Sequence, residues 1–386
     1  MLRYGLYTVM TMWPEEVRAD LRSGLRAKRK GDLDTAILYF SRAWQTAKAM
    51  PLQTFGDDAL LKVTGIGIAL GGLLEDQKRL EEAYALYEDT FWLLRTAYMD
   101  SLPPSTMANR PDLGIETLKG LTRADRMRAV ALSYKLAEMA HDLRRPSQEE
   151  ERWLVWSVEA ILRTVLDAPP LTAVEVVAPA GKGAGGEGPN VKVLIEQLGL
   201  PEWTARHDIA APFEALGTFY AKSGNITYAL PLYLQAISIL IPSTPNATPV
   251  EDRCRGAQLM GNVAELMIRS MNTEQASPEA LSQAEAWAKK GLDVVMAARK
   301  LSPIKYDICE ESLAMLLYNV AMIRDLSGDK VQAQSLLTQA LEQSKAIGME
   351  EGVRHSERAL SALQEGKDEF EPFLVAKEED RRAETS

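Results

Sequence analysis

Apolar and small residues recur along most of this chain at spacings of three and four, broken by short polar turns. That period belongs to amphipathic α-helices. Residues 216–236, LGTFYAKSGNITYALPLYLQA, show it plainly. Leu216 and Gly217 are followed by Tyr220, and Gly224-Asn225 supplies a turn. Ala229, Tyr233 and Ala236 then recur at spacings of four and three. The pattern predicts two helices joined by a tight turn. Gly217 and Ala229 let the two axes come close, because larger side chains there would hold them apart.

The same grammar returns at 24–43 (GLRAKRKGDLDTAILYFSRA) and at 316–340 (LLYNVAMIRDLSGDKVQAQSLLTQA). In all three copies the first small residue precedes the turn glycine by seven places, and the second small residue follows five later: Gly24, Gly31, Ala36; Gly217, Gly224, Ala229; Ala321, Gly328, Ala333. Three looser copies fill the gaps. One runs from Leu70-Gly71 to Ala83, Tyr87 and Thr90 through a turn without glycine. Another runs from Leu136-Ala137 past Pro146-Ser147 to Trp153, Ser157 and Ala160. The third runs from Val263-Ala264 to Ala284, Ala288 and Gly291 through a longer loop near 270–278. A last helix at about 350–364 would cap the stack. A hairpin of this kind cannot bury its apolar stripe alone, so neighbours must stack.

This pattern resembles the tetratricopeptide repeat, a helix-turn-helix unit with small residues at its eighth, twentieth and twenty-seventh places. Gly24, Ala36 and Ala43 match, as do Gly217, Ala229, Ala236 and Ala321, Ala333, Ala340. The resemblance implies an all-α, superhelical solenoid of antiparallel helix pairs. The domain reading is an N-terminal arm at 1–14, about three repeats over 15–167, and a disordered Gly/Pro-rich insertion at 168–190. About three more repeats with a cap follow over 191–365, then an acidic tail at 366–386. Within the first set, Pro103, Pro104, Pro111 and Gly114 mark a loop at 100–122, with a short helical turn at 113–119. The arm, MLRYGLYTVMTMWP, reads either as a segment that lays aromatics on the first repeat or as the stub of a longer apolar stretch. It lacks the cleavage site of a signal peptide.

In that family the second, fifth, ninth and twelfth places of each first helix line a concave groove. Carried over, these are Arg18, Leu21, Leu25 and Lys28, then Gly65, Ile68, Gly72 and Glu75, then Tyr134, Glu138 and His141. The later hairpins give Glu214, Thr218 and Lys222, then Gln258, Glu265 and Ile268, then Met315, Tyr318, Met322 and Asp325. The resemblance implies a protein or peptide partner there and no cofactor. The carboxylate clamp of chaperone-binding members does not fit: Leu21 and Leu25 stand where it needs lysine and asparagine, and Asn262 and Asn319 are isolated. An apolar or mixed groove for an extended or helical peptide suits these side chains better. The glycines of the second hairpin could instead be packed by residues 1–13.

Composition narrows the function classes. The 386 residues carry 44 Lys and Arg against 54 Asp and Glu, a net charge of -10, with 46% hydrophobic residues. That balance is globular, and its sign argues against a nucleic-acid partner. No apolar run approaches the 20 or so residues of a membrane helix. Cys254 and Cys309 read as two buried cysteines on first helices, and His141, His207 and His355 fall in different hairpins. The acidic pairs Glu81-Glu82 and Glu310-Glu311 sit at helix starts, where they suit the helix dipole. GKGAGGEG lacks the order of a phosphate-binding loop. Five of the seven tryptophans (Trp44, Trp92, Trp153, Trp156 and Trp287) fall in second helices and read as core. Catalysis is not expected.

Three stretches resemble a narrower branch: WPEEVRADLRSGLRAKRKGDLDTAILYFSRA, DDALLKVTGIGIALGGLLE and LAMLLYNVAMIRDLSGDKVQAQSLLTQALEQSKAIGMEEG. They are similar to fungal tetratricopeptide proteins of the mitochondrial inner membrane that serve as substrate adaptors for the AAA protease facing the intermembrane space. The likeness implies a mitochondrial location, that protease as a partner and its unfolded substrates in the groove. Such adaptors carry a membrane anchor before the repeats, where this chain has LRYGLYTVM. The alternative is a structural scaffold subunit of a stable multiprotein complex.

Overall fold

The computed structural model describes residues 13–97, 115–166, 200–242, 248–270 and 277–365. The expected arm (save its last two residues), the Gly/Pro-rich insertion, the acidic tail and most of the 100–122 loop lie outside the described residues. Where that loop is described, Ile115–Gly120 forms a short 3-10 helix. Regular structure among the described residues is helical throughout.

The chain divides into two compact units, the first holding residues 1–170 and 193–204 and the second residues 171–192 and 205–386. Unit 1 contains three helix pairs: α1 (Glu15–Arg29) with α2 (Leu33–Ala49), α3 (Ala59–Asp76) with α4 (Leu80–Thr96), and α5 (Arg123–Asp142) with α6 (Ser147–Ala160). Unit 2 contains α7 (Arg206–Lys222) with α8 (Ile226–Leu240), α9 (Val250–Arg269) with α10 (Pro278–Leu301), α11 (Asp307–Leu326) with α12 (Lys330–Ile347), and the closing helix α13 (Glu350–Glu365). These are antiparallel helix pairs, as the repeat pattern predicts.

One contact recurs in three of the six described pairs. A Cβ added at Gly24 would lie 2.7 Å from the Phe40 ring, at Gly71 2.4 Å from the Tyr87 ring, and at Gly217 3.0 Å from the Tyr233 ring. In each case the aromatic follows its glycine by sixteen places, so it lies on the second helix directly over the gap the glycine leaves. Ala36, Ala43, Ala83, Ala229, Ala236, Ala333 and Ala340 are fully buried, as the spacing requires. Burial at these positions removes apolar area from water at about 25 cal/mol per Å².

The turns share one device. In three of the described turns the residue just past the helix C-cap is a glycine with positive φ: Gly31 at 78°, Gly224 at 78° and Gly328 at 84°. The next backbone N–H then reaches back to the last turn of the first helix, as in Asp32 N to Ala27 O at 3.1 Å and Asp329 N to Arg324 O at 2.9 Å. These bonds satisfy carbonyls the helix end would otherwise leave open. Asp32 and Asp329 then cap the second helices, accepting from Thr35 N and Gln332 N at 3.1 Å. The glycine-free turns at Lys78 (φ 60°) and Arg144 (φ 53°) adopt the same geometry.

The tryptophan expectation needs correction. Trp44 and Trp153 are core, at 1% and 4% exposure, but Trp92 is 39% exposed and Trp156 and Trp287 are half-buried. Being on a second helix does not fix which face of that helix a residue takes.

Candidate peptide-binding faces of the first helices

Each unit presents a row of first helices: α1, α3 and α5 in unit 1, and α7, α9 and α11 in unit 2. In unit 1, Arg18 turns back to the chain before α1 and donates two hydrogen bonds to the Trp13 carbonyl, at 2.7 and 3.2 Å. Leu21 is buried, Leu25 is half-buried and Lys28 is exposed. Ile68 is half-buried beside Gly65 and Gly72. Glu75 is engaged on both oxygens: the Tyr87 hydroxyl donates to one at 2.6 Å, and Lys135 Nζ lies 2.9 Å from the other. Burial is the largest influence on the Lys135 ammonium and pulls its pKa down, but the bond to Glu75 and the charges of Glu75, Glu138 and Asp142 together outweigh it and hold the pKa above its ordinary value. The same burial and the same carboxylate push the Tyr87 phenol up. Tyr134 is half-buried, Glu138 is exposed and 3.8 Å from Lys135, and His141 Nδ1 lies 3.2 Å from Glu150.

The four glycines of α3 separate into two kinds. Gly67 and Gly71 face inward, where a Cβ would fall 2.4 Å from Thr90 Oγ1 and 2.4 Å from the Tyr87 ring. Gly65 and Gly72 lie on the opposite side, in line with Ile68 and Ala69. A Cβ at Gly72 would meet nothing within 4 Å, and one at Gly65 only Arg128 at 3.6 Å. Packing within the unit therefore demands the first pair and not the second. Arg128 reaches across from α5 and donates to the Leu61 carbonyl of α3 at 2.6 Å, using backbone that this bare side leaves accessible.

In unit 2, Glu214, Thr218, Lys222 and Gln258 are half-buried. The Thr218 hydroxyl lies 3.0 Å from the Tyr233 hydroxyl, whose pKa is driven up chiefly by burial. Asp325 is half-buried at the end of α11.

Several expected groove residues are interior. Leu21, Glu265, Ile268, Met315, Tyr318 and Met322 are 5%, 1%, 7%, 4%, 3% and 3% exposed. The reason is clearest on α11, which has a neighbour on each side. Met315 Cε sits 3.1 Å from where a Cβ on Gly261 of α9 would be, and the Tyr318 ring meets His355 of α13 edge-on at 6.1 Å. Leu21 continues the buried line of Val17 and Gly24 on α1. Glu265 and Ile268 fall in the stretch of α9 that is buried almost without interruption from Leu259 onward. These side chains do not present an open surface.

Three features escaped the sequence reading. Cys254 of α9 and Cys309 of α11 are buried as expected, but they are bonded to each other. Asn262 and Asn319 are not isolated: Asn319 Nδ2 donates to the Gly261 carbonyl at 3.2 Å, beside Asn262, whose Oδ1 is buried with no hydrogen-bond partner. Each asparagine precedes its repeat's small residue, Ala264 or Ala321, by two places, and that shared place was the available signal. Lys135 and Arg128, the cross-helix partners of unit 1, lie outside the four expected groove places.

Among the described residues no group of His, Cys, Asp or Glu is arranged to hold a metal ion, and no helix is long and apolar enough to cross a membrane. No family model matches the sequence, and no curated protein matches it. Solved structures do. BtubC (BKLC) from P. vanneervenii is 12% identical, with 82% of this chain and 92% of that one covered at a TM-score of 0.47. A tetratricopeptide repeat protein from Parabacteroides merdae is 11% identical over 89% and 100% of the two chains, at 0.32. The TPR2AB domain of yeast Sti1, solved as a complex with pHSP90, is 12% identical over 90% and 98%, at 0.30.

Proposed function

We propose that the protein is a non-catalytic protein-interaction module that holds an extended or helical polypeptide along its first helices. The observation that carries this reading is the bare side of α3. Gly65 and Gly72 are glycines that packing within the unit does not require, and they flank the apolar Ile68. Glycine at such places lets a partner's backbone approach closely. Leu25 and Lys28 of α1 and Glu138 of α5, at the expected groove places and half-buried or exposed, add mixed chemistry suited to a polypeptide.

At the finer level we read it as an adaptor that presents unfolded polypeptides to a mitochondrial AAA protease facing the intermembrane space. The three stretches similar to that adaptor branch support this. A buried disulfide also fits an oxidising compartment better than the reducing cytosol.

The test is fluorescence anisotropy with a labelled, permanently unfolded polypeptide. Ile68→Asp and Gly72→Leu each weaken binding by about tenfold, since about 1.4 kcal/mol of lost contact corresponds to that factor. Unchanged affinity in both variants, with unaltered circular dichroism, removes α3 from the site. Capture of one stoichiometric partner that survives high salt, and no binding of unfolded chains, replaces the adaptor by a scaffold subunit.

A further inference from the structure

The connection between α10 and α11 runs beside Val250, the first residue of α9, and encloses an open cleft of about 320 Å³. Cys309 forms part of its wall, with Val250, Met296 and Tyr306, whereas Cys254 does not line it. The cystine is 1% exposed at Cys309 and fully buried at Cys254, and this cleft meets it on the Cys309 side. Of the two cysteines, Cys309 is the one that borders the cleft.

The charge around the cleft is lopsided. Arg299 is committed to Glu310 through two hydrogen bonds of 2.8 and 2.9 Å, and Gln343 donates a third at 2.8 Å. That pair is neutral as a unit. Lys300 and Lys305, both exposed and both lining the cleft, give its mouth a net positive field. Met296 and Ile304, 40% and 65% exposed, add apolar surface beside them. The volume is at the small end of clefts that hold organic ligands.

We propose that this cleft is a thiol-exchange site that admits a small anionic thiol, of the class of glutathione, to the Cys254–Cys309 cross-link. Thiol–disulfide exchange needs a thiolate and a disulfide sulfur it can reach. The incoming thiolate bonds to Cys309 Sγ. The Cys254–Cys309 bond breaks, and Cys254 leaves as a thiolate that takes up a proton. A second thiol molecule attacks the mixed disulfide on Cys309 and departs as the oxidised dimer. Both cysteines are then reduced at the expense of two thiols. The lysines concentrate an anionic thiol at the mouth and leave a neutral one unaffected. Exchange releases the covalent link between α9 and α11, while the Ser312 hydroxyl remains bonded to the Cys254 carbonyl at 3.2 Å.

The experiment uses the oxidised, full-length chain in native buffer. It is incubated with reduced glutathione or with neutral 2-mercaptoethanol, trapped with acid, and mapped by peptide mass spectrometry. The expected adduct lies on Cys309. Per thiolate, glutathione reacts faster by on the order of fivefold, an advantage that shrinks at high salt and disappears in the Lys300→Glu/Lys305→Glu variant. The proposal is overturned by an adduct on Cys254, by equal rates for the two thiols, by an advantage that persists in the lysine variant, or by exchange only at denaturant concentrations that unfold unit 2.

Discussion

The two units hold their helices together by different chemistry. Unit 1 uses long polar side chains. Lys135 of α5 meets Glu75 of α3, Arg128 of α5 caps a carbonyl of α3, and Arg145 meets Glu81 at 2.6 Å. Behind them, the Trp153 indole donates to the Tyr84 hydroxyl at 2.8 Å, which donates to Glu149 at 2.7 Å. Burial, with Glu149 alongside, pushes the Tyr84 pKa up to about 12, so that hydroxyl stays a donor at any physiological pH. Unit 2 uses a covalent bond and close packing. Cys254 is bonded to Cys309, Gly261 admits Met315 and Leu316, and the Cβ of any residue replacing Gly291 would strike the Ala257 carbonyl at 2.8 Å. Half-exposed ion pairs are each worth a fraction of a kcal/mol to about 1 kcal/mol. A cross-link acts on the unfolded chain and counts for several. The lesson is that one repeat plan accepts either means, because the plan fixes only how each hairpin closes.

The largest test of that contrast is removal of the cross-link. It closes a loop of 55 residues, so Cys254→Ser with Cys309→Ser should cost unit 2 about 4 kcal/mol through the added freedom of its unfolded chain. Hydrogen exchange resolved by segment gives the readout, since each unit reports its own opening free energy. Protection in α9 and α11 falls, and protection in α3 and α5 does not. A loss shared equally by both units would mean that they unfold together and that the contrast has no thermodynamic content.

The next test separates packing from exposure within one helix. Gly71→Ala forces a Cβ to 2.4 Å from the Tyr87 ring, and overpacking of this kind costs about 1–3 kcal/mol. Gly72→Ala, one residue on, meets open space and removes a helix-interior glycine. It should gain about 0.5–1 kcal/mol. Chemical denaturation of the two single variants compares them directly. If Gly72→Ala also destabilises, a contact on the outer side of α3 has been overlooked, and the bare side assigned to a partner is not bare.

What the sequence disclosed and what it hid follow from the range of each interaction. The glycine–aromatic contact and the turn lie inside one hairpin, so fixed offsets reveal them. The disulfide and the burial of Met315, Tyr318 and Met322 depend on which helices become neighbours across hairpins. Cys254 and Cys309 stand at nearly equivalent places of successive first helices, yet only the packing of α9 against α11 brings their sulfurs together. The groove residues inherited from the family pattern assume an open row of first helices. On α11 that row is closed from both sides, by Gly261 of α9 and His355 of α13. Asn262 and Asn319 were visible as a repeated letter, but their relation through the Gly261 carbonyl is again a contact between hairpins.

The smallest test concerns the turns, which the units also build unequally. Unit 1 carries two of its three hairpin turns on non-glycine residues, Lys78 and Arg144, whereas Gly224 and Gly328 serve unit 2. The geometry is otherwise the same: Arg79 N reaches Leu74 O and Arg145 N reaches Ala140 O, both at 2.9 Å, matching Asn225 N to Tyr220 O at 2.8 Å. A side chain held at positive φ costs roughly 1–2 kcal/mol, while glycine there loses about 0.5–1 kcal/mol more entropy on folding. The difference favours glycine, so Lys78→Gly and Arg144→Gly should each stabilise unit 1 by about 0.5 kcal/mol. Lys78 is exposed and makes the cleaner substitution, because Arg144 has an interaction of its own to lose. The reverse changes, Gly224→Ala and Gly328→Ala, should cost unit 2 about 1 kcal/mol each. Denaturation midpoints at constant slope resolve effects of this size. A Lys78→Gly variant less stable than the parent would show that the left-handed turn is held by the lysine side chain itself and not by the backbone bonds that all five turns share.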